Sequence, residues 1–220
     1  MDRTRFRHRF ALLAAGCVTI ATSSGCLHQL LATGIYVWQG GNLIDAECND
    51  LDGQRVVVLC RPPASNEYRH AGASRQLAER ISALLEINGA GIDVVDRREV
   101  DNWTDENGAD DFKQLGRAMK ADRVVEVEID HFDLFKGKTL YQGNADVTVT
   151  VYDMQSGGRR IWDRPMGEVL FPKNSGVPAQ DKSIHQFQKE FVEVLADAIA
   201  RNFYRHDPTA DFANDALANR

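Results

Sequence analysis

The sequence predicts an α/β protein of the two-layer α+β kind, with a mixed sheet, a three-stranded antiparallel meander and about three packing helices. Three observations predict it. The first half alternates strand and helix signals, the second half holds two long segments of alternating polarity followed by a tight turn, and an amphipathic segment comes last. The 220 residues are 43% hydrophobic and 26% charged, which is typical of one globular domain behind a short leader.

The first half begins with an apolar run at residues 55–60. It is bounded by Gly53 and Pro62, which favours a strand buried on both faces. A helix is predicted from Ser74, because apolar residues recur at helical spacing until Asn88 and Gly89 end it. A short strand at 92–95 and a helix at 110–119 follow.

The second half begins with a half-buried strand at 124–132, and the same alternation recurs at 145–153. A Ser-Gly-Gly turn at 156–158 leads into a third strand around Ile161 and Trp162, which completes the meander. The last predicted helix, with Asp181 or Ser183 as its cap, should cover the apolar face of the sheet through one stripe of residues: Ile184, Phe187, Phe191, Val194, Leu195, Ala198 and Ile199.

The leader has four arginines, the last of them Arg9, and then a mostly apolar run at residues 10–20. This layout is typical of a secretory signal peptide, and the run is too short to span a membrane. Small residues precede two cysteines, as lipoprotein cleavage requires. We favour lipidation at Cys26, because cleavage at Cys17 would leave about seven apolar residues, the lower edge of a signal core. The Leu-Ala-Ala-Gly-Cys run nevertheless makes Cys17 the better match to the lipobox, and a plain cleaved signal is the other alternative.

We therefore predict a signal peptide at 1–25, an anchor and tether at 26–53, one α/β domain at 54–205 and a loose tail at 206–220. A lipid-modified, palmitate-type amino terminus predicts a lipoprotein anchored to a membrane of the cell envelope. The domain would face the periplasm, most simply from the outer membrane.

The net charge and the cysteine content give information on the partner class and on disulfide bonding. The formal charge is -6, and because the leader carries an excess of arginine, the mature chain stands near -9. An acidic body argues against nucleic-acid binding. Cys48 and Cys60 remain as an even pair in a compartment that permits disulfides. They could bond to each other, or Cys60 could be a small buried thiol at the end of its strand.

An enzyme is not predicted. The chain holds no nucleophile-elbow, phosphate-loop, zinc-helix or dinucleotide fingerprint, so we assign no catalytic residue and no cofactor. On a strand, His131 and Asp133 share one face and Asp130 lies on the other, so no metal site is predicted. The acid stripe of Glu126, Glu128 and Asp130 is most simply a solvated sheet face opposite Arg160 and Arg164.

Three charged residues stand out as a possible partner-binding loop: Arg97, Arg98 and Glu99. The simpler alternative is that this segment caps the second strand where the chain returns to solvent.

The order of elements resembles a family of envelope lipoproteins with an anticodon-binding-like α/β domain over about residues 54–205. Members include lipoprotein activators of penicillin-binding proteins, the curli secretion-channel lipoprotein and the amino-terminal domain of the Tol system's β-propeller protein. The motifs that carry the resemblance are short: Val56-Val57-Val58-Leu59, Val94-Val95-Asp96-Arg97, Ala121-Asp122-Arg123-Val124-Val125, and Val151-Tyr152-Asp153 with Gly157 and Ile161-Trp162.

The resemblance implies a non-enzymatic adaptor, activator or assembly factor that binds another envelope protein. Two alternatives remain. One is an envelope hydrolase or a module that binds a small molecule or metal, and the other is a curli-like secretion-channel component. The latter is disfavoured, because the segments at 133–143 and 166–183 are short and contain lysines and prolines.

Overall fold

The computed structural model describes residues 43–62 and 67–208. In chain order the elements are β1 (Arg55–Arg61), α1 (Glu67–Asn88), β2 (Asp93–Val94), α2 (Arg97–Asn107), α3 (Phe112–Ala118), β3 (Arg123–Lys136), β4 (Leu140–Asp153), β5 (Arg159–Phe171), β6 (Val177–Pro178) and α4 (Ile184–Ala200), which continues as a 3-10 turn (Arg201–Phe203).

The sheet is mixed and has the strand order β2-β1-β3-β4-β5, and β6 pairs with the first residues of β4. β1 lies parallel to both β2 and β3. β3, β4 and β5 form an antiparallel meander. The predicted α+β fold class and its meander are confirmed.

One face of the sheet is covered by α1 and α4, and this layer holds the larger core. Alternate strand residues such as Val56, Val125 and Val149 face it. The predicted seam of α4 is confirmed, since Phe187, Phe191 and Leu195 are completely buried. Burying side chains of this size contributes about 1.5–3 kcal/mol each.

The opposite face is covered only in part, by α2 and α3. Val100 of α2 and Leu115 of α3 pack against Val57, Leu59 and Val124, which lie on β1 and at the start of β3. Tyr152, near the end of β4, packs at the margin of this second core. Beyond it, no helix in the described part of the chain covers the outer face of β3, β4 and β5.

Helix α2 is absent from the sequence prediction. It fully buries only Val100, with Trp103 partly buried one turn later, and two apolar residues in an otherwise polar segment are too few to identify a helix from sequence. Its amino-terminal cap is Asp96, whose side chain accepts a hydrogen bond from the backbone N–H of Arg98. The strands of the meander are also longer than predicted, because β3 and β4 stay paired through the polar residues at both of their ends.

The domain begins earlier than predicted. Ile44 pairs with His206 in an isolated bridge, and the backbone N–H of Cys48 donates to the carbonyl of Asn202 at 2.9 Å. Leu51 is completely buried. The segment from 44 to 53, expected as tether, is therefore part of the fold, as is His206 of the expected tail. The rest of that tail, from residue 209, lies outside the described residues.

None of the helices described is long and apolar enough to cross a membrane.

Candidate functional site

The uncovered half of the sheet presents a continuous polar surface. Its residues follow from the strand register, in which Glu126 faces Thr150 and Thr150 faces Asp163 across the meander. We define the open face by these residues and their neighbours at alternate positions: Arg61, Glu126, Glu128, His131, Asp133, Asn144, Asp146, Thr148, Thr150, Asp163, Pro165 and Glu168.

The open face is acidic and most of its carboxylates are exposed. Asp146 lies directly between His131 on β3 and Glu168 on β5, and all three are exposed. Two carboxylates directly opposite each other on adjacent strands repel. Glu168 accepts a hydrogen bond from the side-chain amide of Asn144 at 2.8 Å, which fixes it on the surface. A cationic group from outside would relieve this repulsion.

The inner edge of the open face is a buried charge network centred on Glu126, which is only 4% exposed. Arg61 Nε lies 3.0 Å from Glu126 Oε1 and its Nη2 lies 3.4 Å from Glu128 Oε1. The Tyr152 hydroxyl donates to Glu126 Oε2 at 3.0 Å. Burial, and next the charge of Glu126, raise the pKa of Tyr152 to about 12, so the hydroxyl stays a donor at neutral pH.

The predicted solvated acid stripe is therefore wrong at its first residue. The Phe112 ring stacks on Tyr152 with centroids 3.8 Å apart, and Tyr152 in turn donates to the buried Glu126. The expected partners also differ. Arg164 turns to the helical side, where it pairs with Glu47 and donates to Asn202 Oδ1 at 2.7 Å, and Arg160 lies 3.7 Å from Asp163.

The Asp130-His131-Asp133 segment lies at two irregularities of β3, between Ile129 and His131 and between Asp133 and Phe135. The Asp133 carboxylate accepts backbone hydrogen bonds from Leu134 at 2.7 Å and Phe135 at 3.1 Å. Within the described ranges, no three acidic, histidine or cysteine side chains come together as a metal site would require.

The predicted loop at Arg97, Arg98 and Glu99 is instead the first turn of α2. Arg97 serves the fold, since its Nη1 donates to the carbonyl of Val58 at 2.7 Å and its Nε to Asp101 Oδ1 at 3.0 Å. Arg98 and Glu99 are exposed. A partner-binding role for this segment stays a prediction, as does its role as a cap on the second strand.

Arg97 and Asp101 line a crevice of about 540 Å³ at the carboxyl end of β1, between α1 and α2. A second ion pair, Arg75 with Asp105, stands at the same crevice. Crevices at this end of a strand commonly bind ligands in α/β proteins. Here the charged side chains are neutralised by one another, which leaves the open face as the stronger candidate.

The two described cysteines do not form the disulfide that was one of the two alternatives. Cys48 and Cys60 are buried free thiols. Burial raises the pKa of Cys48 to about 11 and that of Cys60 to about 12, so both are protonated and unreactive at neutral pH. The two candidate lipidation sites, Cys26 and Cys17, lie outside the described residues.

No protein-family model and no curated protein sequence matches the chain. Solved structures similar to it include lipoprotein GNA1162 from Neisseria meningitidis (17% identity, 66% of this chain and 97% of that chain, TM-score 0.40) and the PelC dodecamer from Paraburkholderia phytofirmans (12%, 75% and 97%, 0.39). A minor lipoprotein from Acinetobacter baumannii matches at 13% identity over 67% and 89%, with a TM-score of 0.30. At these scores no function is transferred, and the predicted resemblance to penicillin-binding-protein activators stays a prediction.

Proposed function

We propose that the chain is a lipid-anchored protein of the bacterial cell envelope that binds another envelope protein through its open face. It acts by contact, as an adaptor, activator or assembly factor, and not by catalysis. The leader with its two candidate lipidation cysteines supports the location, and the open face supports the mode of action.

The observation that carries the proposal is the unequal cover of the sheet. On one face α1 and α4 reach from Val56 of β1 to Phe171 of β5. On the other, α2 and α3 stop at the margin marked by Tyr152. The strands run on for 14 residues in β3 and β4, so a hydrogen-bonded sheet surface stays exposed. Such a surface is rigid and therefore costs little ordering entropy on binding.

The charge of the open face indicates what kind of partner surface would bind there. Exposed carboxylates lie on all three strands, including Glu128, Asp146 and Glu168. The arginines beside it are already paired, Arg61 with Glu126 and Glu128 at the inner edge and Arg160 with Asp163 on β5. A partner surface rich in lysine or arginine would therefore be attracted, and complementary charge chiefly sets association rate and specificity.

Site-specific photo-crosslinking in the native cells tests the proposal. A photoreactive side chain at Thr148, in the middle of the open face, should give one discrete protein adduct. The same side chain at exposed Glu86 on α1 is the control and should not. The adduct should disappear when Asp146 and Glu168 are both changed to lysine. Equal adducts from both positions, or adducts indifferent to that charge reversal, would contradict the proposal.

The anchor is tested separately by mass spectrometry of the mature amino terminus. Diacylglyceryl on Cys26 is the expected result. Lipid on Cys17 would move the anchor, and an unmodified terminus would remove the lipoprotein part of the proposal while leaving the open face as a binding surface.

A further inference from the structure

The turn between β3 and β4 carries an exposed aromatic ring next to two lysines. Phe135 is 44% exposed, and Lys136 and Lys138 are exposed on either side of Gly137. Gly137 has φ 72°, which a glycine adopts without strain. No acidic side chain of the described chain forms an ion pair with either lysine. We call residues 135–140 the hairpin tip.

The hairpin tip is held firmly in place. The Phe135 ring lies 5.3 Å from Tyr141, which itself stacks on buried Phe187 of α4 at 5.2 Å. The backbone N–H of Ala179 donates to the carbonyl of Thr139 at 3.0 Å, and β6 pairs with the first residues of β4. The ring and the lysines are thus presented on a fixed support, as a preorganised contact requires.

The exposed ring and the lysines of the hairpin tip contrast with the acidic character of the chain. The protein as a whole is acidic, with a formal charge of -6. Four large apolar side chains are exposed within the described ranges, and of these Phe135 alone has a lysine beside it in sequence, whereas Ile87 at the far end of α1 follows Glu86. Aromatic rings with flanking lysines are typical of side chains that lie at the headgroup level of a membrane.

We propose that the hairpin tip binds the surface of a bilayer that contains anionic lipid, with Phe135 at the headgroup level and Lys136 and Lys138 on lipid phosphates. Each lysine near such a surface increases partition about fivefold, so the pair alone gives a weak contact. A lipid anchor on the same chain would make that contact intramolecular and effective. The chain from Cys26 to Ile44 can span at most about 60 Å, so one membrane could hold both.

The contact also sets the position of the open face. Strands rise about 3.3 Å per residue, so Glu128 lies roughly 25 Å along β3 from Lys136. A protein resting on its hairpin tip would hold the open face upright, with Asp133 nearest the lipid, roughly 10 Å along β3 from Lys136, and Glu128 farthest from it. This inference stands apart from partner binding, because the hairpin tip and the open face are separate surfaces that can fail separately.

The experiment uses the full chain purified from its cells and reconstituted into vesicles, with an environment-sensitive fluorophore attached to Thr139→Cys. Cys48 and Cys60 are buried and should not take the label. The emission should shift to the blue with vesicles of phosphatidylcholine and phosphatidylglycerol, and much less with phosphatidylcholine alone. Raising the salt should reverse the shift. A label at Glu86→Cys is the matched control and should not respond.

Two sets of variants decide the outcome. Lys136→Glu with Lys138→Glu should reduce the bound fraction of the tip more than tenfold, and Phe135→Ser should reduce it with the charges intact. All three positions are exposed, so unchanged circular dichroism is expected. An equal shift on neutral vesicles, or a shift indifferent to the lysine reversals, would overturn the proposal. A shift that grows with protein density on the vesicle would assign the tip to a second copy instead and overturn it too.

Discussion

Tyr152 donates its hydroxyl to Glu126 across two neighbouring strands, 3.0 Å from oxygen to oxygen. The pair joins the covered and the open halves of the outer sheet face, because Tyr152 lies under Phe112 of α3 while Glu126 reaches Arg61 of β1. A carboxylate that is almost fully buried requires such partners, since an unpaired buried charge is strongly destabilising.

Tyr152→Phe should destabilise the protein by about 1–3 kcal/mol, because it leaves a buried carboxylate oxygen without its donor. The free energy of urea unfolding measures the loss. The same change in a Glu126→Gln background should cost less, since the charge that needs the donor is gone. Equal costs in the two backgrounds would show that the charge of Glu126 does not strengthen the hydrogen bond.

The alternating strands, the first strand and the last helix could be predicted from sequence because each is a local pattern of burial. The environment of Glu126 could not. Its partner Arg61 belongs to β1, 65 positions earlier, and meets it only because β1 and β3 pair in parallel. Helix α2 could not be predicted for another reason, since Val100 and Trp103 are too few apolar residues to establish a helical period. The open face exists because α2 and α3 cover only part of the outer sheet face. How far they reach depends on tertiary packing, which no local sequence pattern predicts.

The close contact between Gly143 and Phe191 is a second relationship invisible in the sequence. A Cβ on Gly143 would clash with the Phe191 ring, and that ring is completely buried against Phe132, with centroids 5.3 Å apart. The glycine thus leaves room for the ring where α4 crosses β4.

Gly143→Ala should therefore destabilise the protein, by about 1–3 kcal/mol as for other overpacked cores. Phe191→Ala should cost about 3–5 kcal/mol. In the double variant the alanine at 143 fills part of the space left by the ring. The sum of the two single losses should therefore exceed the loss measured for the double variant. Additive losses in denaturant unfolding would show that the two positions do not share this space.

Stability should also fall in acid. The Ser156 hydroxyl, which donates to Asp153 at 2.6 Å, and then Arg123 lower the pKa of Asp153. The side-chain amide of Gln155 and then the backbone N–H of Arg55 lower the pKa of Asp122. A lowered pKa in the folded state means that the stabilisation is present above the unfolded value of about 3.9 and is lost as the pH falls through the folded value.

The free energy of unfolding should accordingly decline as the pH is lowered below about 5. Urea unfolding at a series of pH values measures this. Ser156→Ala, which removes the donor with the largest effect on Asp153, should flatten the decline. An identical slope in that variant would show that the hydroxyl does not hold the carboxylate in its ionised form.

The last prediction concerns function in the cell, where single neutral changes on the open face should be tolerated and paired charge reversals should not. His131→Ala and Asp133→Asn each change one residue of the open face, and Asp130→Asn changes an exposed residue beside it, so each variant should complement a deletion strain. Asp146→Lys with Glu168→Lys reverses the charge at the centre of the face and opposes docking of a basic partner. That double variant should fail to complement while accumulating to normal levels.

The matched control reverses two exposed acids elsewhere, Glu86→Lys on α1 with Glu106→Lys on α2, for the same change in net charge. It should complement, because net charge alone steers encounter only weakly at physiological salt, whereas the open face needs local complementarity. Failure of the control as well would attribute the effect to net charge. A different outcome would contradict binding by contact: His131→Ala abolishes function in a stable protein while the paired reversal has no effect. That result would indicate a chemical role for the imidazole.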